Sequence, residues 1–330
     1  MTSMRIVLDA DGVFLRERPY WRTALATALS LIGGENADGE TFQRLDAELF
    51  DRRAVQRIVK AVGINSNWHL CGALIGSLLE PPNRQGVLDA LGRSDVTDAA
   101  DQWVAALAGY VDHLREQCDG SGSPVEYLCR QPMFAPVIPR FQSIFHGLDS
   151  RFDIRPKYQT LGEPTALRDT FDRLRCAGTT LAICTGRYRR EVAEPLLEFG
   201  LMEEPIRERL ITQDEVEQAE AATGLPALGK PHWFPLAAAV RGFEAAIAAL
   251  RSDQPLNDLF DECVVFVGDG TADFRSAVNC SERGGNVEFV LVRSGALSEQ
   301  SVHEILEAPI TLGVIERFES LPDLLKEAAA

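Results

Sequence analysis

With 330 residues, 45% of them hydrophobic, the chain is long enough to bury a full core, and its length leans toward two domains. Its 33 basic and 49 acidic residues leave a net charge of −16, which repels a nucleic-acid backbone or an anionic membrane, so neither is expected as a partner. The seven cysteines form no CxxC pair and mostly lie in apolar runs, as Cys184 and Cys263 do, which argues against a disulfide framework or a zinc site. With no apolar signal region or membrane span in view, the expectation is a cytoplasmic protein, monomer or homodimer.

In chain order, the first element is a short apolar run at 4–8 that ends in two aspartates, Asp9 and Asp11. It reads as a buried strand. From about 14 to 159 strand signals vanish and helical periodicity takes over. Ala54, Val55, Ile58, Val59 and Val62 form one apolar stripe, and Val104, Leu107, Val111 and Leu114 another. Pro81 and Pro82, the stretch 120–124, and Pro132, Pro136 and Pro139 punctuate this region as turns. Further strand-like runs follow at 180–184, 263–267 and 286–292. Between them lie helical faces carrying Leu167, Phe171 and Leu174, and then Leu236, Val240, Phe243, Ile247 and Leu250. Strands alternating with helices predict an α/β fold with a parallel sheet covered on both faces, interrupted after its first strand by a mainly helical insertion.

Four segments carry chemistry: VLDADGV at 7–13, ICTGR at 183–187, GKP at 229–231 and VGDGTAD at 267–273. Asp9 and Asp11 stand where a parallel sheet opens toward ligand, although a lone DxD is more often a helix cap and a solvated residue. Asp269 and Asp273 repeat the arrangement after a second strand, where a glycine turn with a capping aspartate reads equally well. Four carboxylates gathered at neighbouring strand ends repel by about 4 kcal/mol per close pair at an effective dielectric near 20. Such a cluster calls for a cation, and carboxylate and carbonyl oxygens suit Mg2+. Thr185 and Gly186 can offer a hydroxyl and a backbone N–H to phosphate oxygens, or Thr185 can simply cap a helix. Lys230 sits in a loop, and its role rests on the company it keeps.

The order and setting of these segments resemble the haloacid dehalogenase superfamily: a DxDG strand, a strand ending in Thr, a lysine, and a strand ending in GDxxxD. The resemblance implies a Rossmann-like three-layer catalytic core with a central parallel sheet, formed by residues 1–14 and 160–330. It also implies a helical C1-type cap at 15–159, as in the phosphoglycolate phosphatase and beta-phosphoglucomutase branch. Carried residue by residue, it makes Asp9 the nucleophile that becomes an aspartyl-phosphate and Asp11 the acid and base. Thr185, Gly186 and Lys230 would bind phosphate. Mg2+ would be held by Asp9, Asp269, Asp273 and a backbone carbonyl of the first motif, that of Asp11 or of Ala10.

Asp11 favours phosphoryl transfer over dehalogenation, because an alkoxide leaving group needs a proton and a halide does not. The activity so implied is hydrolysis of a small phosphorylated metabolite; a phosphosugar mutase and a non-catalytic phospho-ligand-binding protein are the alternatives. Val13 stands where the family commonly has Thr, and the insertion looks larger than the branch's four-helix cap. The cap is expected to close over substrate. Its candidate contacts are Arg16, Arg18 and the segment Asn65, Ser66, Asn67, Trp68 and His69, with Trp68 reading more readily as core and His69 as a base only by conjecture. Arg52 and Arg53 read as a solvated face, and neither Lys60 nor Lys157 has the setting of a Schiff-base lysine.

Overall fold

The structure is a computed structural model that describes residues 4–32, 39–51, 54–60, 64, 67–117, 124–149, 152, 154, 158–252, 255–260, 262–293 and 297–328. The chain divides into two compact units, one of residues 1–16 and 160–330 and the other of 17–159.

The first unit is built on a six-stranded sheet of β1 (Arg5–Leu8), β2 (Thr180–Cys184), β3 (Leu210–Ile211), β4 (Val264–Gly268), β5 (Val287–Val292) and β6 (Thr311–Ile315). Every neighbouring pair is parallel, and the spatial order is β3-β2-β1-β4-β5-β6. Helices cover both faces, giving the three-layer Rossmann-like α/β architecture. Strand alternation assigns the faces. Val7, Val264 and Phe266 enter one apolar cluster with the helices Phe234–Arg241 and Thr271–Glu282. Ile6, Leu8, Val265 and Val267 enter the other with the helices Pro164–Cys176 and Leu321–Ala328. Phe171 is fully buried in the second cluster, with its ring edge-on to Phe14 at 5.7 Å and tilted to Phe318 at 5.5 Å.

The strands expected from apolar runs are present within a residue at each end. Two strands carried too little signal to be read: β3 has two residues, and β6 is interrupted by Gly313. The apolar face read as one helix from Leu236 to Leu250 is two helices, Phe234–Arg241 and Phe243–Ser252, because Gly242 takes φ +97° between them. A left-handed φ of this kind ends a helix and costs glycine little.

The chain leaves and rejoins this unit at a small clamp. Leu15 forms an antiparallel bridge with Thr160, the Leu161 amide donates to the Phe14 carbonyl at 3.0 Å, and the Arg16 guanidinium donates to the Thr160 carbonyl at 3.1 Å.

Every regular element described in the second unit is a helix. Its longest helix, Val96–Gln117, buries Val96, Ala99, Ala100, Trp103, Leu107, Val111 and Leu114, so the stripe passes through Trp103 and leaves Val104 half-buried. The Trp103 indole donates to the Leu74 carbonyl at 3.1 Å, which satisfies its one donor inside the core. In the helix Arg18–Ile32, Tyr20 stacks against Phe145 at 4.7 Å and Phe141 at 6.1 Å. The shorter helix Ala54–Lys60 buries Val55 and Val59, while Val62 lies outside the described residues. Among the described residues no helix is long and apolar enough to cross a membrane.

Replacing Phe171 with Ala would leave a large cavity between one sheet face and two helices. Urea denaturation is expected to show a loss of about 3–5 kcal/mol in the first unit's stability.

Candidate active site

β1 and β4 are adjacent, and the strand order reverses around them: successive strands run one way from β1 to β3 and the other way from β4 to β6. Loops diverge at such a switch point and leave a crevice beyond the carboxyl ends of the strands. Leu8 pairs in register with Val267 on one side and Ile183 on the other, so Asp9, Thr185 and Asp269 all emerge at this edge within about two residues of the same level. The Asp9 amide still bonds the Val267 carbonyl at 2.8 Å, and the Thr185 amide bonds the Ile211 carbonyl at 2.9 Å. The side chains therefore leave from backbone that the sheet holds fixed.

Asp9, Asp269 and Asp273 are all buried, and one carboxylate oxygen from each lies within 4.8 Å of the other two. Two glycines make room for them. At Gly12, with φ +71°, a Cβ would overlap the Asp269 carboxylate, and at Gly268 it would overlap Asp273. Asp273 also closes the start of its own helix by accepting the Gly270 amide at 3.2 Å, so the capping reading and the cluster reading are both realised.

Lys230 reaches into this cluster from its loop. Its ammonium is 2.8 Å from Asp9 Oδ1 and 2.7 Å from Asp273 Oδ1, and it lies 5.5 Å from the centroid of the Phe266 ring. Burial works against its charge, but Asp273 and Asp9 outweigh that, and the amine is held well above its usual pKa. Burial likewise pushes the Asp9 carboxyl well above the ordinary aspartate value, with the lysine opposing and Asp273 and Asp11 reinforcing. The donor set is entirely oxygen and holds more negative charge than Lys230 offsets, which fits a hard divalent cation.

Asp11 lies near Asp9 but outside that cluster. Its carboxylate is gripped by the Arg187 guanidinium, Nε to Oδ2 at 2.9 Å and Nη2 to Oδ1. Arg187 belongs to the TGR segment, yet its spacing gave no sign of this role. The loop after β2 aims it across 176 positions of sequence.

The Thr185 hydroxyl accepts the Arg187 amide at 3.3 Å, which fixes its direction. Gly186 is exposed, and no described atom beyond its chain neighbours lies within 4 Å of where a Cβ would be, so packing does not require a glycine there. The Ala10 carbonyl closes the turn, accepting amides from Phe14 at 3.2 Å and Leu15 at 2.9 Å. Arg16 is engaged with the Thr160 carbonyl.

In the second unit, Arg18 pairs with Asp46 and Asp51, each at 2.8 Å. Trp68 is a core residue edge-on to Phe141. Desolvation lowers the His69 pKa to about 4, which leaves it neutral near pH 7. Asn65, Ser66, Arg52, Arg53 and Lys157 lie outside the described residues, and for Asn67 and Lys60 only the backbone is described.

Solved structures with this architecture are known. One, described only as a structural-genomics target, is 18% identical, with 99% of each chain covered and a TM-score of 0.63, and this likeness establishes the fold. The chain is also similar to solved hydrolases. A phosphatase from Thermococcus thioreducens is 17% identical over 92% of this chain and 100% of its own, with a TM-score of 0.47. A HAD-superfamily hydrolase of subfamily IA from Geobacter sulfurreducens is 15% identical over 98% and 96%, with a TM-score of 0.36. No protein-family profile and no curated protein sequence matches the chain.

Removing the Lys230 charge leaves Asp9 facing Asp273 with no cation, which raises the Asp9 pKa further. A carboxyl with a raised folded pKa binds protons more tightly folded than unfolded, so stability falls as pH rises from the ordinary aspartate range toward that raised value. Lys230→Met, melted in EDTA, is expected to lose more stability relative to the wild type at pH 7 than at pH 4.

Proposed function

We propose that the chain is a magnesium-dependent phosphatase of the haloacid dehalogenase type, hydrolysing a small phosphorylated metabolite through an aspartyl-phosphate on Asp9. The observation that carries this reading is the meeting of Asp9, Asp269 and Asp273 around one point, with Lys230 between Asp9 and Asp273. We take residues 1–14 and 160–330 as the catalytic core and 15–159 as its C1-type cap.

Asp9, Asp269 and Asp273 would hold the Mg2+, and the bound cation would screen the repulsion between an attacking carboxylate and a phosphate dianion. Asp9 then attacks phosphorus as the bond from phosphorus to the ester oxygen breaks. The electron pair departs with that oxygen, which takes a proton from Asp11. Water, giving its proton to the Asp11 carboxylate, attacks the same phosphorus, breaks the acyl-phosphate bond and frees Asp9 with inorganic phosphate. The Thr185 hydroxyl and the Gly186 amide would bind phosphate oxygens, and Lys230 would offset charge on Asp9 and the phosphoryl group.

The test is a screen of phosphorylated metabolites, with p-nitrophenyl phosphate alongside, for magnesium-dependent phosphate release. Turnover is expected to vanish in EDTA and return with Mg2+. Asp9→Asn is expected to abolish it while the circular dichroism spectrum stays that of the wild type; retained turnover in Asp9→Asn would refute the assignment. A hexose 1-phosphate converted to an isomeric sugar phosphate without phosphate release would instead establish a mutase.

A further inference from the structure

Asp11 and Arg187 form an unequal pair. The carboxylate is 18% exposed at the crevice, whereas the guanidinium behind it is only 2% exposed. Burying a guanidinium is costly unless its N–H groups are paired. Arg187 meets that cost by forking both oxygens of Asp11 and donating from Nη2 to the Arg16 carbonyl at 3.3 Å. Its backbone is held as well, with its amide on the Thr185 hydroxyl at 3.3 Å and its carbonyl accepting the Gln213 amide at 2.9 Å. A buried, pre-organised fork of this kind fixes the plane of the carboxylate it grips, which a lysine cannot do.

Resting on the phosphatase reading, we infer that Arg187 is a positioning residue: it fixes the Asp11 carboxylate in the one orientation from which it can exchange a proton with the ester oxygen. A carboxylate has about four acceptor sites, and the fork occupies one on each oxygen, so the outward-facing sites stay open to substrate. The Arg16 carbonyl contact ties the same guanidinium to the residue at which the chain leaves the first unit. Arg187 thus acts through Asp11 and has no need to touch phosphate.

The leaving group separates this role from a merely structural one. An alkyl ester such as β-glycerophosphate needs its leaving oxygen protonated, whereas p-nitrophenolate departs without a proton. Arg187→Met is expected to lower kcat/KM for β-glycerophosphate by roughly 10²-fold, the size of a lost general acid, and for p-nitrophenyl phosphate by less than about threefold. Arg187→Lys, which keeps the charge but loses the fork, is expected to show the same contrast in weaker form, and it carries the test if Arg187→Met does not fold. In the Asp11→Asn background the Arg187 substitution is expected to cause no more than about a twofold further loss, as for residues acting as one unit.

Equal losses on both esters, or losses that multiply with Asp11→Asn, would overturn the inference while leaving the phosphatase reading in place. A wild-type protein that releases phosphate from neither these esters nor any compound of the metabolite screen would overturn that reading, and the inference with it.

Discussion

Like-charge crowding at the carboxyl ends of β1 and β4 is the constraint on which the site depends. Three buried carboxylates within 4.8 Å of one another repel strongly in a poorly screened setting, and a folded chain keeps such a group only if something holds it together. Lys230 supplies part of that compensation by bridging Asp9 and Asp273. It leaves negative charge that one divalent cation would complete. Gly12 and Gly268 are the steric counterpart: each removes a Cβ that would stand where a carboxylate of the cluster lies. Charge and shape therefore select the same few positions.

That constraint explains why so much of the site could be read from residue order. Asp9 and Asp269 each follow an apolar run closely, and such runs become parallel strands whose carboxyl ends lie together. Asp273 follows Asp269 at helical spacing and turns back onto the cluster from the first turn of its helix. Lys230 has no periodic signature, and only its loop setting hinted that it was more than a surface charge. The fold was legible for the same reason: four buried strands carry continuous apolar runs, while β3 has two residues and β6 contains Gly313. Both lie at the sheet edges, where less apolar surface need be buried and the pattern weakens accordingly.

Arg187 marks where such reading stops. Periodicity tells which residues share a face, but a pair 176 positions apart depends on how the turn after β2 is aimed. That turn is set by a local contact, the Thr185 hydroxyl on the Arg187 amide, together with one that no local pattern encodes, the Gln213 amide on the Arg187 carbonyl. The two aspartates of the DxD segment are separated in the same way. Strand alternation alone would aim them to one side, but the strand ends at Leu8 and the backbone already bends at Ala10, between the two, before Gly12 takes φ +71°. Asp9 faces Lys230, and Asp11 faces Arg187.

Register ties these observations together. Leu8 lies level with both Val267 and Ile183, and it stays there because alternate residues of β1 and β4 fill two different apolar clusters. A slip of one residue would exchange those faces, placing Val7 where Leu8 packs and shifting Asp9 by one residue relative to Asp269. The same slip would move Gly12 off the Asp269 carboxylate, whose position only a glycine there tolerates. The apolar pattern that buries the sheet is therefore also what sets the distance between the acids, so the chain cannot relax the charge crowding by sliding a strand without unpacking its own core.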